Sequence, residues 1–246
     1  MCEYTQMLLI KKNKTMKYIT LIFLLVISSC GFSQPDFTAY NNISNPDFQA
    51  FVNLFPEQQL PITAESLRGT GLLEPSLAKI SNNFEESYLK LNGTYIAPKL
   101  YTYVGEADTT DMYESFYPAF KLPTTGNYIL LIVYQWGGTS EWMYRAQVLS
   151  YDLAGNFIKA VGPGYLIDGA APYVSVSINQ QMQLEHTYIT NASSNRSDFF
   201  QCKPCDKSYK TDTYQIQTNG QDNLVSSVDN GTASFKYVPF YFKPVE

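Results

Sequence analysis

The chain has 246 residues, 45% hydrophobic and only 16% charged, which excludes an intrinsically disordered protein and suits one large domain with a real core. Its 20 Tyr and 15 Phe weight the composition towards pleated, half-buried strands. Formal net charge is -5, but Lys11, Lys12, Lys14 and Lys17 and only one acid, Glu3, precede Cys30, so the rest carries 13 basic against 21 acidic residues without a Lys/Arg cluster; this argues against a nucleic-acid partner.

The first element is a leader. Residues 11–30 read KKNKTMKYITLIFLLVISSC: a basic stretch, an apolar run over 19–27, then small residues, the pattern of a secretory signal. The apolar run is about half the roughly 20 residues that a bilayer-spanning helix needs. Met16 would also start a signal of ordinary length, making residues 1–15 an upstream extension. Two processing sites compete. Ile27-Ser28-Ser29-Cys30 resembles the lipobox of bacterial lipoproteins, in which the Cys is acylated and becomes the new N-terminus; Gly31-Phe32-Ser33 is a small-x-small site for cleavage before Gln34, which would release a soluble periplasmic or secreted protein. The lipobox is the preferred reading, because Cys30 follows Ser-Ser directly after the apolar run. The chain therefore divides into a signal segment (1–30), a polar, Asn-rich tether (31–45) and a single β-rich domain (46–246).

A short helix is expected from Pro46, capped by Asn45, with Phe48, Phe51, Val52 and Phe55 on one face and Pro56 closing it. Gln59-Leu60-Pro61-Ile62 reads as extended. A second helix is expected within 75–91, where Leu77, Ile80, Phe84, Tyr88 and Leu91 recur every three or four residues. From Thr94 the period becomes two, with strands expected near 94–104, 115–122, 127–136, 142–151, 157–161, 172–178, 183–190, 209–217, 223–228 and 233–242. Thr124-Thr125-Gly126-Asn127, Gly137-Gly138, Asp152-Leu153-Ala154-Gly155-Asn156, Asn179-Gln180-Gln181 and Asn219-Gly220 supply the turns. Val174, Val176 and Ile178 alternate with Ser175 and Ser177, as in a sheet covered on one side. The unbroken apolar run from Tyr128 to Tyr134 predicts a central strand buried on both faces. The fold class is all-β: an antiparallel meander closing into a sandwich or partial barrel, with one or two short N-terminal helices. An incomplete propeller is the alternative, disfavoured because no blade signature recurs at a fixed period.

FVNLFPEQQLPI at 51–62, Phe116-Tyr117-Pro118, the run GNYILLIVY and the turn YDLAGNFI together resemble a family of uncharacterised secreted and lipoprotein chains from Bacteroidetes. The resemblance spans most of 45–225. It implies an envelope location and a β-meander, and carries no functional residues.

Four groups of residues are candidates for chemistry. With Cys2 and Cys30 in the leader, Cys202 and Cys205 remain in the folded part, and in an oxidising compartment they pair as a loop staple; CKPC also has the form of a redox motif, but no amphipathic helix follows to lower a thiol pKa, and two Cys without a nearby His cannot complete a zinc site. His186, the only histidine, alternates with Leu184 and Tyr188 in a strand, and no Gly-x-Ser-x-Gly elbow supplies it with a nucleophile. Glu106, Asp108, Asp111 and Glu114 form an acidic run with no named cation-loop spacing, read as a solvated loop. Tyr134, Trp136, Trp142 and Tyr144 lie on the two arms of one hairpin, where cross-strand aromatics either pack into the core or form a platform for a sugar or a protein.

The expectation is an exported, periplasm-facing lipoprotein that is a non-catalytic binding module, with a membrane as one partner through its lipid and a protein or glycan as the other. No metal or other cofactor is expected. An immunity or inhibitor protein and an envelope hydrolase are the alternatives.

Overall fold

A strand that is apolar at seven consecutive positions needs cover on both faces, and the computed structural model provides it. The structure describes residues 34–68, 78–92, 94–96, 114–137, 143–163, 167–168, 173–190, 202–238 and 241–245. In chain order the strands are β1 (Ile62–Thr63), β2 (Lys90–Leu91), β3 (Thr94–Tyr95), β4 (Glu114–Leu122), β5 (Ile129–Gly137), β6 (Met143–Tyr151), β7 (Phe157–Ala160), β8 (Ile167–Asp168), β9 (Tyr173–Ile178), β10 (Gln183–Ile189), β11 (Cys205–Ile216), β12 (Asp222–Val238) and β13 (Tyr241–Pro244). The helices are α1 (Pro46–Val52), α2 (Ala64–Arg68) and α3 (Asn82–Phe84), which runs on as a π-turn over Glu85–Leu89.

Two sheets stack as a β-sandwich. The first is the meander β4-β5-β6-β7, with β8 on the far part of β6; the second is β1-β9-β10-β11-β12-β13. Alternation along β5 explains the stack. Tyr128, Leu130, Ile132 and Tyr134 point at the second sheet and meet Val176, Ile178, Leu184 and Ile216, while Ile129, Leu131 and Val133 point the other way, under Phe48, Phe51, Val52, Phe55, Ile80 and Tyr88. All seven positions of β5's run are at most 3% exposed, as expected for a strand buried on both faces.

Local chemistry sets the helical layer. Asn45 accepts from the Asp47 and Phe48 amides (3.0 and 3.3 Å), Pro46 occupies the first turn and Asp47 suits the positive end of the helix. The helix stops at Val52, but turn bonds from Leu54 and Phe55 carry the chain on, and Phe55 is still buried. The second helix is shorter than the 75–91 window: Lys90 turns extended, and Leu91 projects 55% exposed from β2. The helix over Ala64–Arg68 is too short to leave a periodic signal.

The domain begins well before residue 46. Asp36 bridges Thr124 through two backbone bonds (3.0 and 2.8 Å), a 3-10 turn follows over Thr38–Asn42, and the Tyr40 hydroxyl lies between the Leu122 and Leu130 carbonyls (2.7 and 2.9 Å). The stretch expected to be tether is thus folded from Asp36 on. Its polarity misleads because, among its described residues, only Ala39 and Tyr40 are buried.

Two further boundaries differ from expectation. The strands expected at 223–228 and 233–242 are largely one strand, β12, because Gly231 (φ 75°) is absorbed within it at a register shift opposite Ser208 and Lys210. Of the strand expected at 94–104 only Thr94–Tyr95 is seen as strand, and residues beyond 96 lie outside the described set.

One end of the sandwich is clamped. A Cβ on Gly126 would sit 1.9 Å from the Thr218 carbonyl oxygen, and Gly220 (φ 79°) packs against Tyr128 and Ile158. The Ser150 hydroxyl reaches the Gly220 carbonyl (2.8 Å), and Lys159 pairs with the buried Asp222 carboxylate at 2.6 Å. The turn between β11 and β12 is thereby locked onto the first sheet. At its other end the second sheet curls until β13 meets β9 at Tyr241 and Tyr173, without closing a barrel, and encloses a small core of Ile189, Cys202 and Phe235.

Candidate functional site

The β5–β6 hairpin is the place to look for a site, because its far end carries polar groups where the fold supplies apolar ones. Backbone register sets Trp136 opposite Tyr144 and Gln135 opposite Arg145, with Gln147 two residues on, opposite Val133. On the face towards the second sheet the arms carry Tyr134 and Trp136. On the opposite face they carry Gln135, Arg145 and Gln147, which are 0%, 5% and 1% exposed.

Those carboxamides are costly. Among the described residues neither Oε1 nor Nε2 of Gln135 has a hydrogen-bond partner, nor does Nε2 of Gln147. Each such group costs roughly 1–3 kcal/mol, and native proteins keep them where a water, an ion or a function accounts for them. The two carboxamides on adjacent strands can together offer donors to an acceptor-rich ligand and, through Gln135 Oε1, one acceptor.

The hairpin aromatics differ in burial. Tyr134 has its ring in the core at 3% exposure, and its hydroxyl donates to the Leu67 carbonyl at 2.8 Å, tying β5 to α2. Trp136 is half-buried against the same core. The Tyr144 backbone stands opposite Trp136, while its side chain and all of Trp142 lie outside the described set.

His186 stands in a row that crosses four strands, Val176–His186–Asp212–Ser227. The row runs from core to solvent: Val176 and His186 are buried, Asp212 lies at the margin and Ser227 is exposed. Burial pushes His186 down to about 4, against the pull of the nearby Asp212 charge, so the imidazole is neutral at pH 7. Asp212 is itself held low: burial would raise it, but hydrogen bonds from Ser227 (2.5 Å) and Tyr188 (3.1 Å) and the charge of Lys210 outweigh that. In a Ser-His-Asp triad the imidazole lies between hydroxyl and carboxylate. Here the carboxylate lies between the other two, so the Ser227 hydroxyl donates to an acid and not to the imidazole.

Cys202 and Cys205 form a disulfide next to Phe235, at the start of β11. Both sulfurs are committed to a loop staple. The acids at 106, 108 and 111 and Cys30 lie outside the described residues, and Glu114 begins β4. Among the described residues no group of three or more His, Cys, Asp or Glu could hold a metal ion, and no helix is long and apolar enough to cross a membrane.

Only the cross-strand proximity of Gln135, Arg145 and Gln147 escaped the sequence reading. Two Gln and an Arg inside apolar-flanked strands were the available signal, and β6 reads Tyr144-Arg145-Ala146-Gln147-Val148 with polar residues on alternate positions. Comparison of the chain with protein-family models, with curated proteins and with solved structures gave no match.

Proposed function

We propose that this protein is a non-catalytic binding module of the bacterial cell envelope, exported on residues 1–30, held at a membrane by a lipid on Cys30, and engaging a glycan or protein partner at the far end of the β5–β6 hairpin. The observation that carries the binding part is the fully buried Gln135, whose carboxamide lacks a partner among the described residues, beside Arg145 and Gln147. A half-buried Trp136 on the other face of the same arm adds an aromatic contact, a common feature of binding hot spots. The basic leader, the short apolar run and Ser28-Ser29-Cys30 support export and lipidation. The likeness of several segments to envelope chains of Bacteroidetes belongs to the same proposal. The order of the His186–Asp212–Ser227 row speaks against the hydrolase alternative.

The test of the binding site is a fluorescence titration of the full chain with a panel of N-acetylated oligosaccharides and extended peptides. A saturable change in Trp emission that Gln135→Leu weakens at least about ten-fold, the cost of one lost buried hydrogen bond, supports the site. A response to no member of the panel, or one that Gln135→Leu and Trp136→Leu leave intact, overturns it.

A further inference from the structure

The N-terminal strap shows at which end of the sandwich the folded domain begins. Asp36 is bonded to Thr124 at the turn between β4 and β5. Only residues 31–35 separate it from Cys30, and six Cα steps span at most about 20 Å. That is a short leash, not the stalk that a tether reaching to residue 45 would make.

Four turns lie at this same end. The turn after β4 touches the 217–221 turn at Gly126 and Thr218; the 152–156 turn follows β6 directly beside the start of β5; and the turn after β9 bonds the end of β11 through Met182 and Ile216. Their chemistry is consistent. Residues 123–128, 152–156, 179–182 and 217–221 contain a single charged side chain, Asp152, although the chain from Cys30 on has eight more acids than bases. The Asp152 carboxylate is already occupied by the amides of Ala154 and Asn156 (2.9 and 2.8 Å), and that of Asp36 by the Thr38 amide. A chain this acidic is repelled by an anionic leaflet, and the four turns themselves bring mainly amides and hydroxyls to it, with Asp36, Asp47 and Asp152 the carboxylates at this end.

We infer that this four-turn end is the membrane-facing surface of the domain, its partner the headgroup layer of the bilayer that holds the Cys30 lipid; the inference rests on the lipid anchor proposed above. The hairpin end then faces away. Along β5, the Gly137 end lies about 26 Å from Ile129, and along β12, whose two register shifts take up residues, residue 236 lies at most about 40 Å from residue 222, at 3.3 Å per paired residue. The ends of the molecule that hold the buried carboxamide cluster and the disulfide thereby lie away from the membrane.

The experiment uses the full chain, lipidated in a bacterial host and reconstituted into phosphatidylcholine vesicles that contain phosphatidylglycerol and a headgroup acceptor dye. A donor is placed through Asn219→Cys or Lys236→Cys, both exposed positions outside the proposed binding site. Energy transfer is expected to be about two-fold or more stronger from residue 219, because it falls steeply with distance and residue 236 lies most of the length of β12 away. A flexible Gly-Ser spacer inserted after Ser33 should erase that difference. Equal transfer from both sites in protein that floats with vesicles and carries acyl mass on Cys30 overturns the orientation and leaves the anchor standing. Protein that fails to float, with Cys30→Ala behaving identically, overturns the anchor and the orientation together.

Discussion

β5 and β12 are both long strands reached through tight turns, and they are held in place by different forces. Every side chain of β5 from Ile129 to Tyr134 is at most 3% exposed, whereas Leu224, Val225 and Val228 of β12 are each about half exposed (51%, 49% and 50%). β5 is fixed by apolar area on two faces. β12 is fixed by its backbone ladder to β11, by the clamp at Gly220 and Asp222, and by β13 over Phe235–Val238. The difference teaches that strand length says little about where stability resides. The first sheet with its helical cover is where substitution should be felt, and the middle of the second hairpin is where it should not.

The comparison breaks most directly at Phe51, which stacks on Tyr88 and meets Phe55 and Tyr151 over the outer face of β5. Phe51→Ala should cost about 3–5 kcal/mol in urea unfolding, and a loss under 1 kcal/mol would mean that the helical layer is not packed as described. Next is the clamp. Gly126→Ala puts a methyl group against the Thr218 backbone, which has no rotamer with which to retreat, and should cost about 3 kcal/mol; an unchanged midpoint would show that the two turns do not touch.

A pH series sharpens the contrast from the second sheet. His186 ordinarily titrates at 6.5 and is held at about 4 when folded, so the unfolded chain binds the extra proton between those values. Stability is therefore full above about pH 6.5 and falls as pH drops towards 4, by at most about 3 kcal/mol for this one group. The depressed Asp212 adds a loss of the same sign at still lower pH. Unfolding curves from pH 7 to 5 should slope for the wild type and flatten for His186→Gln; a flat wild type would show that His186 is not buried neutral.

Smaller effects follow. Removing the disulfide through Cys202→Ser with Cys205→Ser frees a loop of only two intervening residues, worth about 2 kcal/mol in chain entropy, and should leave the midpoint of Phe51→Ala shifted by the same increment as in the wild type. Val228→Ala, in the exposed middle of β12, should stay within about 0.5 kcal/mol of the wild type. A larger loss there would show that something covers the arm.

Much of this architecture was legible because period and burial coincide. Tyr128 to Tyr134 announces two covered faces, and Val174, Val176 and Ile178 announce one. Legibility fails where contacts are long-range or one residue wide. Nothing local distinguishes residues 36–42 from a tether, since the partners of Tyr40 are 82 and 90 residues away. Asn230-Gly231 looks like the interruption between two strands, yet Gly231 takes up a register shift, with its amide bonded to the Asp229 carboxylate at 2.8 Å. For the site, the exposure of an aromatic hairpin cannot be read from its alternation. Tyr134 and Trp136 share a parity, yet Tyr134 is buried and Trp136 only half-buried against the same core.

The Tyr40 clasp also sets a timetable. Its hydroxyl closes on carbonyls at Leu122 and Leu130, Tyr134 reaches back to Leu67, Tyr151 to Tyr88, and Ser150 forward to Gly220. Each closure spans more than 60 residues, and such loops are slow to form. A chain emerging head first has its strap ready long before anything exists to fasten it to, and even the first sheet cannot be locked until Gly220 has appeared. The last of these closures waits until residue 220 has been made, and that fits the export proposed above.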